Sequence, residues 1–284
     1  MLRRSLIVLA VVLAVAVALV AIAYRDTNHP ALRRVEIPVR GLSGDVTILH
    51  VSDLHGRSFG DNQSEIVSLL GESHYDAVVL TGDYTSGSSA GATAVVQLVE
   101  VLQERTPIVF GVLGNHDDSE VLADMLDAGV VFPGSEAIPL PEAKRVYVVD
   151  SDEMAAVGPV TTEGLSEATV ALRHVPPSDA HLEEAGKASP EPLIYLSGHT
   201  HGGQVRIPLI GAVRSPVGRH FSAYSAEEWR TESFPELRGI QVQGIRESGD
   251  DTVYISRGLG TAFLPFRLFC RSELTEIHLV PAED

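Results

Sequence analysis

The sequence is poor in cysteine and in basic residues, and it lacks several common enzyme motifs. Cys270 is the only cysteine among 284 residues, so no disulfide can form within the chain, and its apolar neighbours predict a buried thiol. The formal net charge is −17 and no Lys- or Arg-rich stripe interrupts it, so no nucleic-acid partner is expected. Neither the H-E-x-x-H of zinc proteases nor a P-loop motif is present.

One long apolar run stands at the N-terminus. It extends from Leu6 to Ala23, about the length that crosses a hydrocarbon core of roughly 30 Å as a helix. We interpret residues 1–24 as a transmembrane anchor or signal segment. Cleavage and export are the alternative, because "AIA" at 21–23 has the small-x-small form of a signal-peptidase site. Arg3 and Arg4 favour a cytoplasmic N-terminus. We therefore expect a single-pass membrane protein whose main domain lies outside the cytoplasm.

The first half of the remaining chain has the pattern of an α/β fold. Residues 25–44 are predicted to form a linker and a first strand, and residues 45–284 a single domain. Apolar runs at 46–52, 77–82 and 107–114 predict buried strands, and the segments between them carry apolar residues at helical spacing. Strands that alternate with helices indicate a largely parallel sheet.

The second half is richer in strands. One helix is predicted around residues 178–186. The strand candidates are residues 145–150, 153–158, 168–174, 192–198, 251–258 and 273–280. This pattern predicts a second sheet that packs on the first, with helices outside both.

Polar side chains of metal-ligand type follow four of the predicted strands. They are Asp53 and His55 in "DLH", Asp83 in "GDYT", Asn115 in "GNHDD", and His199 and His201 in "GHTHGG". Each cluster follows the carboxyl end of a strand, where α/β sheets bind ligands. Residues at i and i+2 on extended backbone point to one side, so each pair is expected to face one site. The set is too large for one tetrahedral ion but fits two ions that share a carboxylate.

These four motifs, in this order and spacing, resemble the calcineurin-like metallophosphoesterase family over nearly the whole chain after the N-terminal segment. The resemblance implies a four-layer α-β-β-α sandwich of two mixed sheets flanked by helices. The family pattern has one more histidine between the last two motifs, and His174 in "TVALRHVPP" matches it.

The resemblance also implies a division of the ligands between two metal ions. Asp53, His55, Asp83 and His201 would hold one ion, and Asp83, Asn115, His174 and His199 the other, with Asp83 bridging. The mixed nitrogen and oxygen donors suit Mn, Zn or Fe better than Mg or Ca.

Two residues beside the ligand Asn115 are candidate catalytic residues. His116 matches the family residue near the leaving oxygen, where an imidazole can donate a proton. Asp117 is a candidate orienting partner for that imidazole.

The implied activity is hydrolysis of a phosphodiester, phosphomonoester or pyrophosphate by a metal-activated hydroxide. The C-terminal "YISRGLGTAFLPFRLFCRSELTEIHL" resembles a branch with an N-terminal membrane segment, in which some relatives act on phosphodiesters or on lipid-linked nucleotide sugars, as a UDP-diacylglucosamine pyrophosphatase does. A phosphorylated small molecule or a lipid-linked substrate is therefore expected. The alternative is a non-catalytic metal-bound scaffold that binds a protein partner, although a scaffold would not need His116.

The segment after "GHTHGG" contains candidate substrate residues. Arg206, Arg219 and His220 are placed where they could meet substrate phosphate, since guanidinium groups suit phosphate oxygens. Relatives are shorter around residues 225–237, which indicates an insertion near the mouth of the site.

Overall fold

The protein forms two sheets that pack face to face between helices. The computed structural model describes residues 2–87, 91–134, 136–141, 145–157, 166–188, 192–212, 241–262 and 264–283. The helices are α1 (Leu2–Asn28), α2 (Ser64–Leu70), α3 (Ala92–Gln103), α4 (Ser119–Asp127), α5 (Ser151–Val157) and α6 (Asp179–Ala188).

The strands fall into two large sheets and one short hairpin. They are β1 (Ala31–Val39), β2 (Val46–Val51), β3 (Ala77–Thr81), β4 (Val109–Val112), β5 (Ile138–Pro139), β6 (Val146–Asp150), β7 (Ala168–Leu172), β8 (Leu193–Ser197), β9 (Arg206–Ile207), β10 (Gly211–Ala212), β11 (Gly244–Ser248), β12 (Asp251–Ile255) and β13 (Glu273–Pro281).

Both large sheets are mixed, as the resemblance implied. The first sheet has the order β1-β13-β2-β3-β4, and β2, β3 and β4 are parallel to one another. The second has the order β11-β12-β8-β7-β6-β5, and β6, β7, β8 and β12 are parallel. Strands β9 and β10 form a small antiparallel hairpin.

Alternation along each strand divides the apolar side chains between separate cores. Ile48 on β2 packs with Val170 and Leu196 of the second sheet, in the core between the sheets. Its neighbour Leu49 points the other way, into a core that includes residues of α2, α3 and α4. A third core, with Met154 among its residues, joins the second sheet to α5 and α6. Four layers with helices outside therefore follow from period-two strands and amphipathic helices.

One segment differs from its predicted structure. Residues 153–158 were predicted as a strand, but the described part of that segment belongs to α5. The reason is local: Asp150 accepts hydrogen bonds from the backbone N–H groups of Asp152 and Glu153, which caps the first turn of a helix. The predicted burial of Cys270 is confirmed.

The N-terminal helix stands apart from the packed layers. It is the one helix in the described part of the chain that is long and apolar enough to cross a membrane, and the side chains of its apolar stretch are not buried by the protein. The helix continues to Asn28, and β1 follows almost directly and pairs in parallel with β13. The last turn of α1 is therefore held close to the first sheet.

Candidate metal centre

Five loops at the same edge of the two sheets bring the predicted ligands together. Three of these loops follow β2, β3 and β4 in the first sheet, and two follow β7 and β8 in the second. Because neighbouring parallel strands end at one edge, side chains far apart in sequence meet there. All seven predicted ligands lie in this cluster: Asp53, His55, Asp83, Asn115, His174, His199 and His201.

A first group of four ligand atoms comes from Asp53, His55, Asp83 and His201, all within 4.8 Å of one another. The Nε2 atoms of His55 and His201 face each other at 3.0 Å. His201 Nε2 also lies 3.5 Å from Asp53 Oδ1. This is the set that the resemblance to the family assigns to one ion.

A second group is formed by Asp83, His174 and His199, again within 4.8 Å. His174 Nε2 lies 3.0 Å from His199 Nδ1 and 3.1 Å from the amide oxygen of Asn115. Asn115 thus completes a set of four potential ligands, which is the set assigned to the other ion.

The spacing of these atoms fits bound metal ions. Two ligand atoms that each lie about 2.1 Å from one ion are about 3.0 to 3.4 Å apart in octahedral or tetrahedral geometry. Six pairs of these atoms are separated by 3.0 to 3.5 Å. Nitrogen and oxygen donors crowded at these distances repel one another unless protons or cations lie between them.

One oxygen of Asp83 is shared between the groups. Its Oδ2 atom lies 3.5 Å from His55 Nε2 and 3.3 Å from His174 Nε2. Its Oδ1 atom accepts the backbone N–H of His116 at 3.0 Å, which fixes the plane of the carboxylate. If two ions were bound, Oδ2 would be the oxygen placed to contact both, as the resemblance to the family implies for Asp83.

The backbone conformation of the ligands corrects one expectation. The pairs were expected to converge because they lie at i and i+2 on extended backbone. Instead, five of the seven ligands have positive φ, between 51° and 67°, and lie beyond the ends of their strands; they are Asp53, His55, Asp83, His199 and His201. This conformation costs about 1 to 2 kcal/mol for a residue with a side chain. Left-handed turns, rather than strand alternation, direct these side chains to the centre.

Glycines allow the loops around the centre to approach this closely. A Cβ atom on Gly198 would overlap the side chains of Ser52 and Asp53, and one on Gly114 would overlap Asp83. The backbone N–H of His199 donates to Asp53 across the same contact, at 3.0 Å to Oδ1. The loop after β8 therefore rests directly on the loop after β2.

A backbone carbonyl orients His174. Its Nδ1 atom lies 2.7 Å from the carbonyl oxygen of Thr81, which can only accept, so Nδ1 carries the proton. Once Nε2 has lost its proton, its lone pair is directed at the centre, an arrangement common among metal-binding histidines. Burial lowers the pKa of His174, but the hydrogen bond and negative charge of Asp83 outweigh it and raise the pKa to about 9.

Burial also acts on the pKa of Asp53, His55 and Asp83. It raises the pKa of Asp53 to about 6 and lowers that of His55 to about 4. Burial opposes ionisation of Asp83, yet His174 and His55 hold the pKa of that carboxyl well below its usual range. Since metal binding requires unprotonated ligands, binding at His174 must release a proton.

Arg267 contacts the centre and was not found from the sequence. Its side chain is completely buried and its Nη2 lies 3.2 Å from His201 Nδ1. Further bonds go to the carbonyl oxygens of Gly260, His201 and Arg257. Arg267 thus packs against the ring and the carbonyl group of His201, while Nε2 of His201 is turned toward His55. The one signal in the sequence is an arginine inside the apolar run "FLPFRLF".

His116 and Asp117 border the centre in different ways. The half-buried imidazole of His116 packs edge-to-face on His55, with 5.4 Å between ring centroids. Asp117 accepts backbone N–H groups of Tyr84, Thr85 and Gly114. These bonds join the loops after β3 and β4, so Asp117 supports the backbone around Asp83, and its predicted role beside the imidazole stays a prediction.

The candidate substrate residues are only partly described. Arg206 lies on β9, three residues after the last glycine of "GHTHGG", and donates to the carbonyl oxygen of Gly202 at 3.0 Å. Arg219 and His220 lie outside the described residues.

Comparisons with known proteins agree with this geometry. The family described as calcineurin-like phosphoesterase matches residues 46–203. The phosphodiesterase YaeI of Escherichia coli is 30% identical over 82% of this chain and 82% of its own length. An uncharacterized metallophosphoesterase of Bacillus subtilis, YkuE, is 26% identical over 88% of this chain and 84% of its own length. A transmembrane protein with metallophosphoesterase domain from Danio rerio is 25% identical over 89% of this chain and 58% of its own length.

Proposed function

Because this chain belongs to the calcineurin-like metallophosphoesterase family, whose members use a dinuclear metal centre, we propose that it hydrolyses a phosphodiester, phosphomonoester or pyrophosphate with two bound ions. The chain is a metal-dependent phosphoesterase. The proposal concerns which residues bind the metal ions, which type of phosphate bond is hydrolysed and which substrate carries it. The name of the Escherichia coli relative leads us to place phosphodiesters first.

The observation that carries the proposal is the position of Asp83 between two complete ligand groups. One carboxylate oxygen faces both His55 and His174, within 3.5 Å of each. We assign Asp53, His55, Asp83 and His201 to one ion and Asp83, Asn115, His174 and His199 to the other. The mixed donors favour Mn, Zn or Fe.

When bound, two such ions supply an activated water and Lewis-acid stabilisation of phosphate oxygens. The chain supplies the rest: left-handed turns aim the ligands, Asp83 joins the two groups, and Asp117 holds the loops after β3 and β4 together. His116 borders the first group and is half-buried, so its imidazole can reach a bound ester and protonate the leaving oxygen.

A non-catalytic scaffold is the weaker alternative. It would retain metal, but it would have no use for an imidazole beside the ligands. The placement of His116 against His55 therefore favours an enzyme over a scaffold.

We also propose that α1 anchors the enzyme in a membrane, with the catalytic domain outside the cytoplasm. The support is its length, its exposed apolar side chains and the transmembrane relatives. A substrate derived from the membrane would suit this location.

The test uses the full chain purified in detergent and loaded with Mn, Zn or Fe. We expect two ions per chain and hydrolysis of a chromogenic phosphodiester. Asp83→Asn should lower the rate by about 1000-fold or more, since several kcal/mol of transition-state stabilisation depend on the paired ions. Asp118→Asn is the matched control: Asp118 caps α4 through its side chain, and asparagine caps equally well.

Three outcomes would count against the proposal. One ion per chain would remove the two-metal assignment. Two ions without hydrolysis of any monoester, diester or pyrophosphate would favour the scaffold. Full activity in Asp83→Asn would show that Asp83 is not the shared ligand.

A further inference from the structure

Exposed apolar side chains gather in two short segments, one of which lines a groove together with the N-terminal helix. Outside α1, the described residues include eleven large hydrophobic side chains that are exposed, and six of them lie within residues 207–210 and 264–269. These six are Ile207, Leu209, Ile210, Leu264, Phe266 and Phe269. A cluster of this kind on a soluble surface indicates an interaction site.

The hairpin segment 207–210 is the more exposed of the two. Leu209, at the tip of the β9–β10 hairpin, has its side chain completely exposed and a positive φ of 71°. A leucine in that conformation gains nothing from the protein interior and strains the backbone. Its contribution must therefore come from something outside the described fold.

The two segments are joined to each other by backbone hydrogen bonds. Arg206 N–H donates to the carbonyl oxygen of Leu268, and Leu268 N–H donates to that of Gln204. The Gln204 side chain also donates to the carbonyl oxygens of Leu264 and Phe266. Residues 207–210 and 264–269 thus belong to one connected surface, which we call the apolar face.

The apolar face adjoins the part of α1 that would leave the membrane. A groove of about 470 Å³ has Leu19, Val20 and Ala23 of α1 among its lining residues, together with Pro265, Phe266 and Leu268. Leu19 is four residues before the end of the apolar run at Ala23, a distance of about 6 Å along a helix. If α1 spans a bilayer, the 264–268 segment lies level with the outermost part of the hydrocarbon.

The last turn of α1 is hydrogen-bonded to residues 267 and 272, which fixes the position of the helix end relative to the 264–269 segment. Arg267 N–H donates to Thr27 Oγ1 at 2.8 Å, and Ser272 N–H donates to the carbonyl oxygen of Asp26 at 2.9 Å. Asp26 and Thr27 are both buried. The helix is therefore docked on the domain at this end.

Basic side chains border the same region of an acidic protein. Arg57 lines the groove and donates to Asn28, and Arg271 donates to the carbonyl oxygens of His29 and Pro30. Arg25 extends from the last turn of α1 and is more than half exposed. Cationic groups beside exposed aliphatic and aromatic side chains suit the headgroup region of a bilayer.

We propose that the apolar face inserts into the lipid surface beside α1, with membrane lipid in the groove between α1 and residues 264–268. This rests on the proposed membrane anchor. It deepens the proposed function, because Phe266 and Leu268 flank Arg267, whose side chain reaches the metal ligand His201. The segment that touches lipid thus also supports the metal centre, which places that centre at the level of phosphates carried by the bilayer.

The test measures contact with lipid at single positions in the full chain. Trp229 is the only tryptophan, so a Trp229→Phe background allows one reporter to be placed at a time. The variants Phe266→Trp and Leu209→Trp probe the apolar face, Val20→Trp probes α1, and Leu126→Trp is the matched control. Leu126 is an exposed leucine on α4 and belongs to neither segment.

Each variant is reconstituted in phosphatidylcholine vesicles with or without brominated acyl chains, which quench tryptophan on contact. We expect quenching of Phe266→Trp and Leu209→Trp at roughly half or more of the level for Val20→Trp, and little quenching of Leu126→Trp. Hydrolysis of a soluble phosphodiester should be unchanged in all four, which shows that each variant is folded.

The outcomes separate the two proposals. Quenching of Val20→Trp without quenching at 266 or 209 overturns the lipid-contact face and leaves the anchor intact. A blue-shifted but unquenched Phe266→Trp would mean that protein, not lipid, covers the face, and also overturns it. Loss of quenching at Val20→Trp would overturn the anchor and the face together, while the hydrolytic activity is tested independently.

Discussion

The two sheets contribute different chemistry to the metal centre. The loops of the first sheet supply the three candidate oxygen ligands, on Asp53, Asp83 and Asn115, and one candidate imidazole, on His55. The loops of the second sheet supply imidazoles only, on His174, His199 and His201. Each ligand group contains residues from both sheets, so neither sheet by itself offers a complete set of ligands for two metal ions. Metal binding therefore depends on how the two sheets pack against each other.

The largest expected effect comes from removing one imidazole of the second sheet at a time. The His199→Ala variant should retain only the ion proposed to bind the first group, which contains His201. The His201→Ala variant should retain only the ion proposed to bind the second group, which contains His199. Each variant should bind one ion instead of two and lose about 1000-fold in phosphoesterase rate.

Metal analysis of purified protein, with metal-specific spectroscopy on Co-loaded samples, checks this division. His74→Ala, at an exposed histidine, is the control. Identical spectra for His199→Ala and His201→Ala would contradict the assignment of these two histidines to different ions.

A smaller effect is expected from the support of His201. Arg267→Lys keeps the positive charge but cannot reproduce the fork of hydrogen bonds to His201, Gly260 and Arg257. Metal affinity should fall by about 10- to 100-fold, mainly for the ion held by the first group.

The change in metal affinity is measured by adding Mn to the metal-free protein in steps and recording the phosphoesterase activity at each concentration. Arg271→Lys is the matched control, because Arg271 also donates to backbone carbonyl groups but does not contact the centre. An equal loss of both ions would show that Arg267 supports the fold as a whole rather than His201.

The docking between the sheets is probed by Gly198→Ala. The added methyl group would overlap Ser52 and Asp53, so the loop after β8 must shift away from the loop after β2. The free energy of unfolding of the metal-free protein should fall by about 1 to 3 kcal/mol.

Chemical denaturation in the presence of a chelator tests this value. Gly186→Ala is a matched control, since Gly186 lies in α6 and an added Cβ meets nothing within 4 Å; it should be neutral or slightly stabilising. Equal stability of both variants would show that the contact at Gly198 is not a constraint.

The smallest effect concerns pH and the packing between the sheets. His50 on β2 is completely buried, packs on Tyr254 of β12, and donates or accepts at Thr81 Oγ1. Burial lowers the pKa of His50 to about 3. The unfolded chain therefore binds a proton near pH 6.5 that the folded chain excludes, so stability falls as pH decreases from about 6.5 toward 3.

The expected slope from His50 is at most about 1.4 kcal/mol per pH unit. His50→Gln cannot titrate, so its unfolding free energy should depend less on pH in that range than that of the parent protein. Denaturation at pH 7, 6 and 5 with chelator checks this, and His74→Gln should behave as the parent. A parallel pH dependence for His50→Gln would contradict the role of His50.

Six of the candidate ligands stand out in the sequence because each is a polar residue beyond the end of an apolar strand, whereas His174 was added by the resemblance to the family, and metal binding by all seven stays a prediction. The strands at 46–52, 77–82 and 107–114 were confirmed within a few residues of their ends. The prediction of a strand at 153–158 was wrong, because Asp150 accepts a backbone hydrogen bond that caps a helix there, and this outweighs the apolar pattern. Arg267 was missed because an arginine among apolar residues has no signal of its own until its hydrogen-bond partners are known.

By itself, the sequence determined the α/β class, the order of the strands with polar ends and six of the candidate ligands, since these depend on local periodicity and residue type. Only the tertiary structure decided how the ligands converge. Left-handed turns at Asp53 and His201, the close approach at Gly198 and the guanidinium of Arg267 arise from contacts between distant segments. Such contacts are set by the packing of two sheets, which no short stretch of sequence encodes.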